Sequence, residues 1–186
     1  MPPKVRITKK EIVAAAVGLV RSRGEEALNA RELAGCLGCS TQPIFSNFAS
    51  MEQVRQAVVD AAEETYGEYV CRENESGKYP PYKASGMAYI RFAREEKELF
   101  RLLFMRDRTG EAIPEQTDMG DRAEEQVRRN TGLDPAEAKL FHLEMWAFVH
   151  GIASMTATGY LDLEWELVSR MLTDSYQGLK SRFGKE

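Results

Sequence analysis

Cysteine and histidine are scarce in this chain, three of the first and two of the second in 186 residues. An odd cysteine count without framework spacing argues against structural disulfides and fits a reducing compartment. Cys36 and Cys39 alone leave a zinc site short of ligands, His142 and His150 lie too far along the chain from them to assume convergence, and there is no His-Glu-x-x-His, Gly-x-Ser-x-Gly or phosphate-binding glycine loop. No enzyme, metal or organic cofactor is therefore expected. Adjacent carboxylates such as Glu95-Glu96 and Glu124-Glu125 do not change this, because helical neighbours point roughly 100° apart and read as solvated faces. No apolar run approaches the roughly 18 residues of a membrane span, and Met1 to Lys10 does not read as a leader, so a cytoplasmic chain without membrane contact is expected. Strand alternation, internal repeats and low-complexity tracts are also missing.

Helix starts, by contrast, are abundant between Ile7 and Val54. An N-cap oxygen accepts an orphan backbone N–H, and a Glu or Gln three positions on can return the bond. Thr8 with Glu11, Asn29 with Glu32 and Ser50 with Gln53 have that spacing. Ser40 reads as the cap of a further short helix with Pro43 in its first turn, where a missing N–H costs nothing. The pairs Ile7/Ile12, Leu28/Leu33 and Cys39/Ile44 add staple spacing. Ala34 and Gly38 permit a close crossing and a tight turn, with Leu33, Leu37 and Ile44 directed inward. Thr41, Gln42, Phe45, Ser46 and Asn47 then face away from the core, and a nucleic-acid groove is the natural use for such a face. The layout is that of a helix-turn-helix.

The run Ile12-x-x-Ala15-Ala16-x-x-Leu19-x-x-x-x-Gly24, followed by Asn29-Ala30-Arg31-Glu32-Leu33-Ala34, Ser40 to Phe48 and Ser50-Met51-Glu52, resembles the N-terminal domain of TetR-type bacterial transcriptional regulators. That motif covers roughly the first third of the chain. Trp146-x-x-x-His150-Gly151 is a looser echo of one of the family's C-terminal domain types. The sequence departs from the family pattern at Phe45, Ser46 and Asn47, where Tyr, His and Tyr are common, and at Met51, where Lys is common. Two typical phosphate contacts are thereby lost, while Gln42 replaces a small residue and brings an amide able to pair with adenine. An altered operator preference follows.

Charge supports a division into a DNA-binding domain over residues 1–50 and a helical regulatory, ligand-binding and dimerisation domain over 51–186. Seven Lys and Arg against four Glu give residues 1–50 a net +3, and the remainder carries −7. DNA affinity follows the local patch, since distant charge is screened within about 8 Å at physiological salt. Beyond residue 50 the pattern predicts helices at 51–74, 83–95, 97–106, 118–131, 134–159 and 163–183. The expected fold is all-α, a three-helix head followed by a helical bundle.

Within the head, Thr41, Gln42 and Asn47 are assigned to base edges, Ser46 to base or phosphate, and Phe45 to a thymine methyl or sugar. Ser40 and Pro43 shape the helix start, and Lys9, Lys10 and Arg31 face phosphates. Phe141, Met145, Phe148, Ile152 and Met155 on one helix, and Trp165, Val168, Leu172, Tyr176 and Leu179 on the next, recur at three- and four-residue spacing. Leu143, Trp146, Val149, Leu161, Leu163, Leu167 and Met171 widen the apolar stripe. This surplus suggests a two-fold four-helix interface, as the resemblance also implies. Met87, Phe104, Met105, Met119, Trp146 and His150 are candidates for a pocket binding a small apolar or amphipathic effector. Cys36-x-x-Cys39 is read as structural, two small buried hydrophobes, with a redox role as the alternative.

The expected function is a ligand-responsive regulator of transcription, a repressor that binds a palindromic operator in double-stranded DNA as a homodimer. A small-molecule sensor acting through a protein partner, with a degenerate DNA head, is the alternative.

Overall fold

The computed structural model describes residues 7–106 and 118–184, apart from the side chains of 118–120. Among these residues there are nine α-helices and no strand: α1 Lys9–Arg23, α2 Ala30–Cys36, α3 Gln42–Asn47, α4 Met51–Glu75, α5 Pro81–Glu95, α6 Lys97–Phe104, α7 Asp118–Thr131, α8 Pro135–Ala157 and α9 Trp165–Phe183. Each helix from α4 onward begins and ends within two residues of its expected position. The chemistry of the ends explains the agreement. Both halves of a capping box form at Thr8/Glu11 and again at Asp134/Glu137, where Pro135 opens the helix. Asn29 caps α2 through the amides of Arg31 and Glu32 without a return bond. Ser50 accepts from Gln53, whose own side chain reaches the amide of Ala49.

Packing divides the chain into two compact units. Among the described residues, one comprises those up to Gly67 together with Glu96–Arg106, and the other Glu68–Glu95 together with those from Asp118 onward. Residue 50 ends the head motif, but the first two-thirds of α4 and all of α6 pack with that head.

In the first unit α1 lies against α2, α3 and α6. Ile12, Ala16, Leu19 and Val20 of α1 are buried together with Leu28, Leu33, Ile44, Phe48, Val54 and Val58. Leu99, Phe100, Leu102 and Leu103 of α6 complete this core, each large side chain contributing about 1.5–3 kcal/mol by leaving water. Arg21 forms a two-pronged ion pair with Glu96 at 2.8 and 2.9 Å. Tyr66 meets Phe104 edge to face at 5.4 Å.

In the second unit α5 packs on α8 and α9, and α7 packs on α8. Met87, Tyr89, Ile90 and Phe92 of α5, Phe141, Met145, Val149 and Ile152 of α8 and Val168 and Leu172 of α9 are all buried, and Phe92 meets Tyr69 of α4 edge to face at 5.5 Å. The helices approach closely where α5 carries Gly86. A Cβ there would lie 3.1 Å from Leu172 Cδ2 and 3.5 Å from Val149 Cγ2. Glu73 is buried but paired with Arg91, whose guanidinium also lies 4.3 Å from the Trp165 ring centre. That arrangement compensates a desolvated carboxylate, which would otherwise be costly.

Candidate nucleic-acid interface

The turn before α3 is a Schellman motif. Gly38 N–H donates to Gly35 O at 3.1 Å, Cys39 N–H donates to Ala34 O at 3.0 Å, and Gly38 has φ +62°, which a side chain would strain. The N-cap position of α3 is Thr41, not Ser40, and no side chain caps it. This corrects the expected Ser40 cap: Thr41 already has α-helical backbone angles, so the hydroxyl of Ser40 is one residue too early. Pro43 lies in the first turn as expected.

Ile44, with none of its surface exposed, anchors α3 to the core, and Phe48 is buried just after it. Thr41, Gln42, Phe45, Ser46 and Asn47 are exposed, Phe45 to 49%. An aromatic ring left this open on a six-residue helix has no role in the core of its own unit. Two of the expected readers already use their donors. Ser46 Oγ donates to Gln42 O at 2.9 Å, and Asn47 Nδ2 donates to Pro43 O at 2.8 Å and to Ile7 O at 3.3 Å. Asn47 therefore ties the end of α3 to the start of α1, leaving only its Oδ1 to accept. Among the described residues, no partner engages the exposed side chains of Gln42 and Thr41.

The positive charge of the head is unevenly available. Arg21 is committed to Glu96 and Arg23 to Glu32, so neither offers a full charge to another partner. Lys10 and Arg31 are exposed and form no ion pair among the described residues. Lys9 places its Nζ 4.9 Å from the centre of the Phe48 ring, a contact that leaves its charge intact. Lys9, Lys10 and Arg31 thus sit in the first turns of α1 and α2 as cations without a carboxylate partner.

The expected ligand residues are divided between the two units. Met87 is fully buried core, Phe104 packs on Tyr66 and Phe100, and Met105 is 40% exposed. Phe104 and Met105 belong to the first unit, and Met87, Trp146 and His150 to the second. Met119 lies outside the residues whose side chains are described. Trp146 is 47% exposed and stacks on His150 at 5.2 Å with the rings 14° from parallel. His150 is held at both nitrogens by side chains, the Tyr89 hydroxyl 2.9 Å from Nδ1 and Ser154 Oγ 3.2 Å from Nε2. Burial keeps its imidazole below the usual histidine range. Spacing along the chain does not indicate this pairing of Tyr89 with His150, because it crosses from α5 to α8. A concavity of about 400 Å³ lies along Lys78, Tyr79, Lys83, Glu166, Ser169 and Thr173, and includes none of the expected ligand residues.

The expected dimer residues also need correction. Phe141, Met145, Ile152, Val168 and Leu172 are buried inside the protomer, and Tyr176 and Leu179 pack against the cluster of Val127, Ala138, Phe141 and Met145. Phe148, Met155 and Trp165 are only partly exposed. That stripe is internal core because α5 and α7 already cover it. The apolar side chains left open are Leu140 (43%), Leu143 (55%) and Trp146 on α8 and Leu167 (45%) on α9. Cys36 is exposed and Cys39 half-buried, so they are not the two buried hydrophobes expected; neither is in a disulfide.

A short exposed helix presented by a helix-turn-helix, carried on a helical chain with an open apolar face, defines a DNA-binding regulator architecture. A tetracycline repressor-like C-terminal domain model matches residues 82–175. The chain belongs to the TetR family of transcriptional regulators. Its fold is similar to that of a TetR-like transcriptional regulator from Rhodococcus sp. RHA1, with a TM-score of 0.70 over 100% of both chains at 15% identity. A TetR variant from Acinetobacter baumannii AYE, solved in complex with minocycline, matches with a TM-score of 0.51 at 16% identity, over 94% of this chain and 93% of that one. No curated protein matches by sequence. No helix among the described residues is long and apolar enough to cross a membrane.

Proposed function

We propose that the chain is a ligand-responsive repressor that binds a palindromic operator as a homodimer and is released by a small apolar or amphipathic molecule. The observation that carries the reading is α3, with Ile44 locked in the core while Gln42, Thr41 and Phe45 stand exposed. In this account Gln42 and Thr41 contact base edges, and Phe45 packs on a thymine methyl or a sugar. Lys9, Lys10 and Arg31 contact phosphates. A second copy covers Leu140, Leu143 and Trp146 of α8 and Leu167 of α9. Two recognition helices related by a two-fold axis then read half-sites about 34 Å apart.

The functional division at residue 50 belongs to this proposal, with the rest of the chain sensing the effector and dimerising. Salt titration on duplex DNA tests the phosphate assignments. Lys10→Ala and Arg31→Ala should each reduce the slope of log affinity against log salt by about one. An unchanged slope removes that residue from the phosphate contacts. Binding that is weak and indifferent to sequence would favour a sensor that acts through a protein partner.

A further inference from the structure

Where the chain passes from α4 into α5 it presents two lysines that no carboxylate answers. Gly77, at φ +63°, turns the chain after α4, and the Lys78 N–H donates to Ser76 Oγ at 3.3 Å. The Ala84 N–H donates to Pro80 O at 2.8 Å as α5 begins. Opposite, α9 brings Glu166, Ser169, Arg170 and Thr173 to one side, since residues three and four apart share a helix face. These two walls bound the concavity of about 400 Å³, whose lining is more apolar than polar, and a volume of that order suits a small molecule. Lys83 bridges the walls: its Nζ donates to Thr173 Oγ1 at 2.7 Å, and that hydroxyl passes its own proton to Ser169 O at 3.1 Å. Lys83 is half-buried and Lys78 exposed, and their Nζ atoms lie 5.0 and 5.3 Å from the centre of one ring, that of Tyr79. Among the described residues neither lysine forms an ion pair, although Glu166 and Asp174 line the same concavity; Asp174 pairs instead with Arg170 at 3.5 Å. With Lys78, Lys83 and Arg170 against Glu166 and Asp174, the lining carries an excess of one positive charge. A half-buried ammonium with one hydroxyl for company has given up water without a counter-charge in return. Burial accordingly holds Lys83 below the usual lysine value.

We propose that this groove, between Lys78 and Lys83 on one wall and the Glu166-to-Asp174 face of α9 on the other, binds a small amphipathic monocarboxylate. The carboxylate accepts from Lys83, which has one N–H committed to Thr173 and two remaining, and from Lys78. Such bonds, with charge on both partners, are the strong ones. The hydrocarbon part of the ligand covers the apolar share of the lining, including the lysine stems. A monoanion matches the single excess charge. Phosphate brings more charge than the groove offers to neutralise and nothing for its apolar lining, and a neutral molecule leaves Lys83 without its counter-charge. Release of DNA by such a ligand rests on the ligand-responsive reading above; occupancy of the groove does not, because it is measured on the chain alone.

Calorimetric titration of the full chain with octanoate, benzoate, octanol and inorganic phosphate tests the site. Octanoate should bind about tenfold more tightly than octanol, the scale of one charge-assisted hydrogen bond, and benzoate should bind more tightly than phosphate. Lys83→Met keeps an unbranched stem and removes the charge; it should weaken octanoate about tenfold while leaving far-UV dichroism unchanged. Lys78→Met, at an exposed position, should weaken octanoate in the same direction. Amide NMR shifts caused by octanoate should fall on residues 78–84 and 166–174. Octanoate bound no better than octanol, or as tightly by both variants as by the parent chain, would overturn the anion site. Shifts confined to the surroundings of Trp146 and His150, or failure of both carboxylates to bind, would overturn the groove as the site. Phosphate that displaces octanoate on equal terms would overturn the amphipathic part of the proposal. A chain that binds octanoate here and never binds DNA would uphold the site and refute the DNA-reading proposal.

Discussion

Replacing Phe141 with Ala and, separately, Leu143 with Ala should produce two different kinds of instability from positions two residues apart on α8. Phe141 has no exposed surface, and its ring meets Tyr176 at 5.2 Å and Phe183 at 5.8 Å. Truncating such a ring costs about 3–5 kcal/mol through lost burial and the cavity left behind, with the ring pairs included in the upper part of that range. For a chain of this size, a loss of about 4 kcal/mol lowers Tm by roughly 8–16 °C. Leu143 is 55% exposed, so its removal should change the protomer's own stability by less than about 0.5 kcal/mol. If a second copy covers it, the loss appears instead as weaker dimerisation, and the midpoint shifts with protein concentration. Urea unfolding followed by far-UV dichroism at several protein concentrations distinguishes the two. A cost below about 1 kcal/mol for Phe141→Ala, or a concentration-independent loss of several kcal/mol for Leu143→Ala, would refute this division between internal and external stripes.

Gln42→Ala should cost about 1–3 kcal/mol at one base position and relax specificity there, as read by competition with single-base operator variants; an equal loss on every sequence would remove its base-reading role. Thr8→Ala should destabilise the first unit by about 1 kcal/mol through loss of the capping box, measured by urea unfolding. The bonds from Thr8 hold the Glu11 carboxyl below the ordinary carboxylate value, so its contribution is present above that value and disappears as pH falls through the folded one. Thr8→Ala removes the side-chain bond but keeps the backbone one, so it should bring Glu11 only part of the way back to the ordinary value in a carboxylate NMR titration. His142 and His150 are both lowered, chiefly by burial. Their neutral forms favour the folded state above about pH 6.5, and that contribution is lost as pH falls through the lower folded values. Imidazole NMR titrations should therefore show midpoints below 6.5 for both, and a midpoint at or above that value would contradict the burial described for the ring.

Local chemistry made the helices legible. Thr8/Glu11 and Asp134/Glu137 carry their capping information within four residues, and Gly38 marks the turn before α3. The orientation of α8 was not legible in the same way. Apolar residues occur around much of that helix, so spacing alone does not distinguish Phe141, Met145 and Ile152, which face inward, from Leu140, Leu143 and Trp146, which do not. The recognition helix was found from its polar outer face and the buried Ile44. Its tether was not, because the bond from Asn47 to Ile7 spans 40 residues. Arg21 and Glu96 are 75 residues apart, so nothing in the sequence indicates that Arg21 is neutralised while Lys10 and Arg31 are not. Exposure of Cys36 depends on where the chain turns after α2, which its Cys-x-x-Cys spacing does not encode.

Selection of binding sites from random duplex DNA by the purified chain at physiological salt tests the central claim most directly. Two copies of α3 reading the major groove predict enrichment of a palindrome whose half-sites are centred about 34 Å apart. A folded, dimeric protein that enriches no sequence would contradict the account.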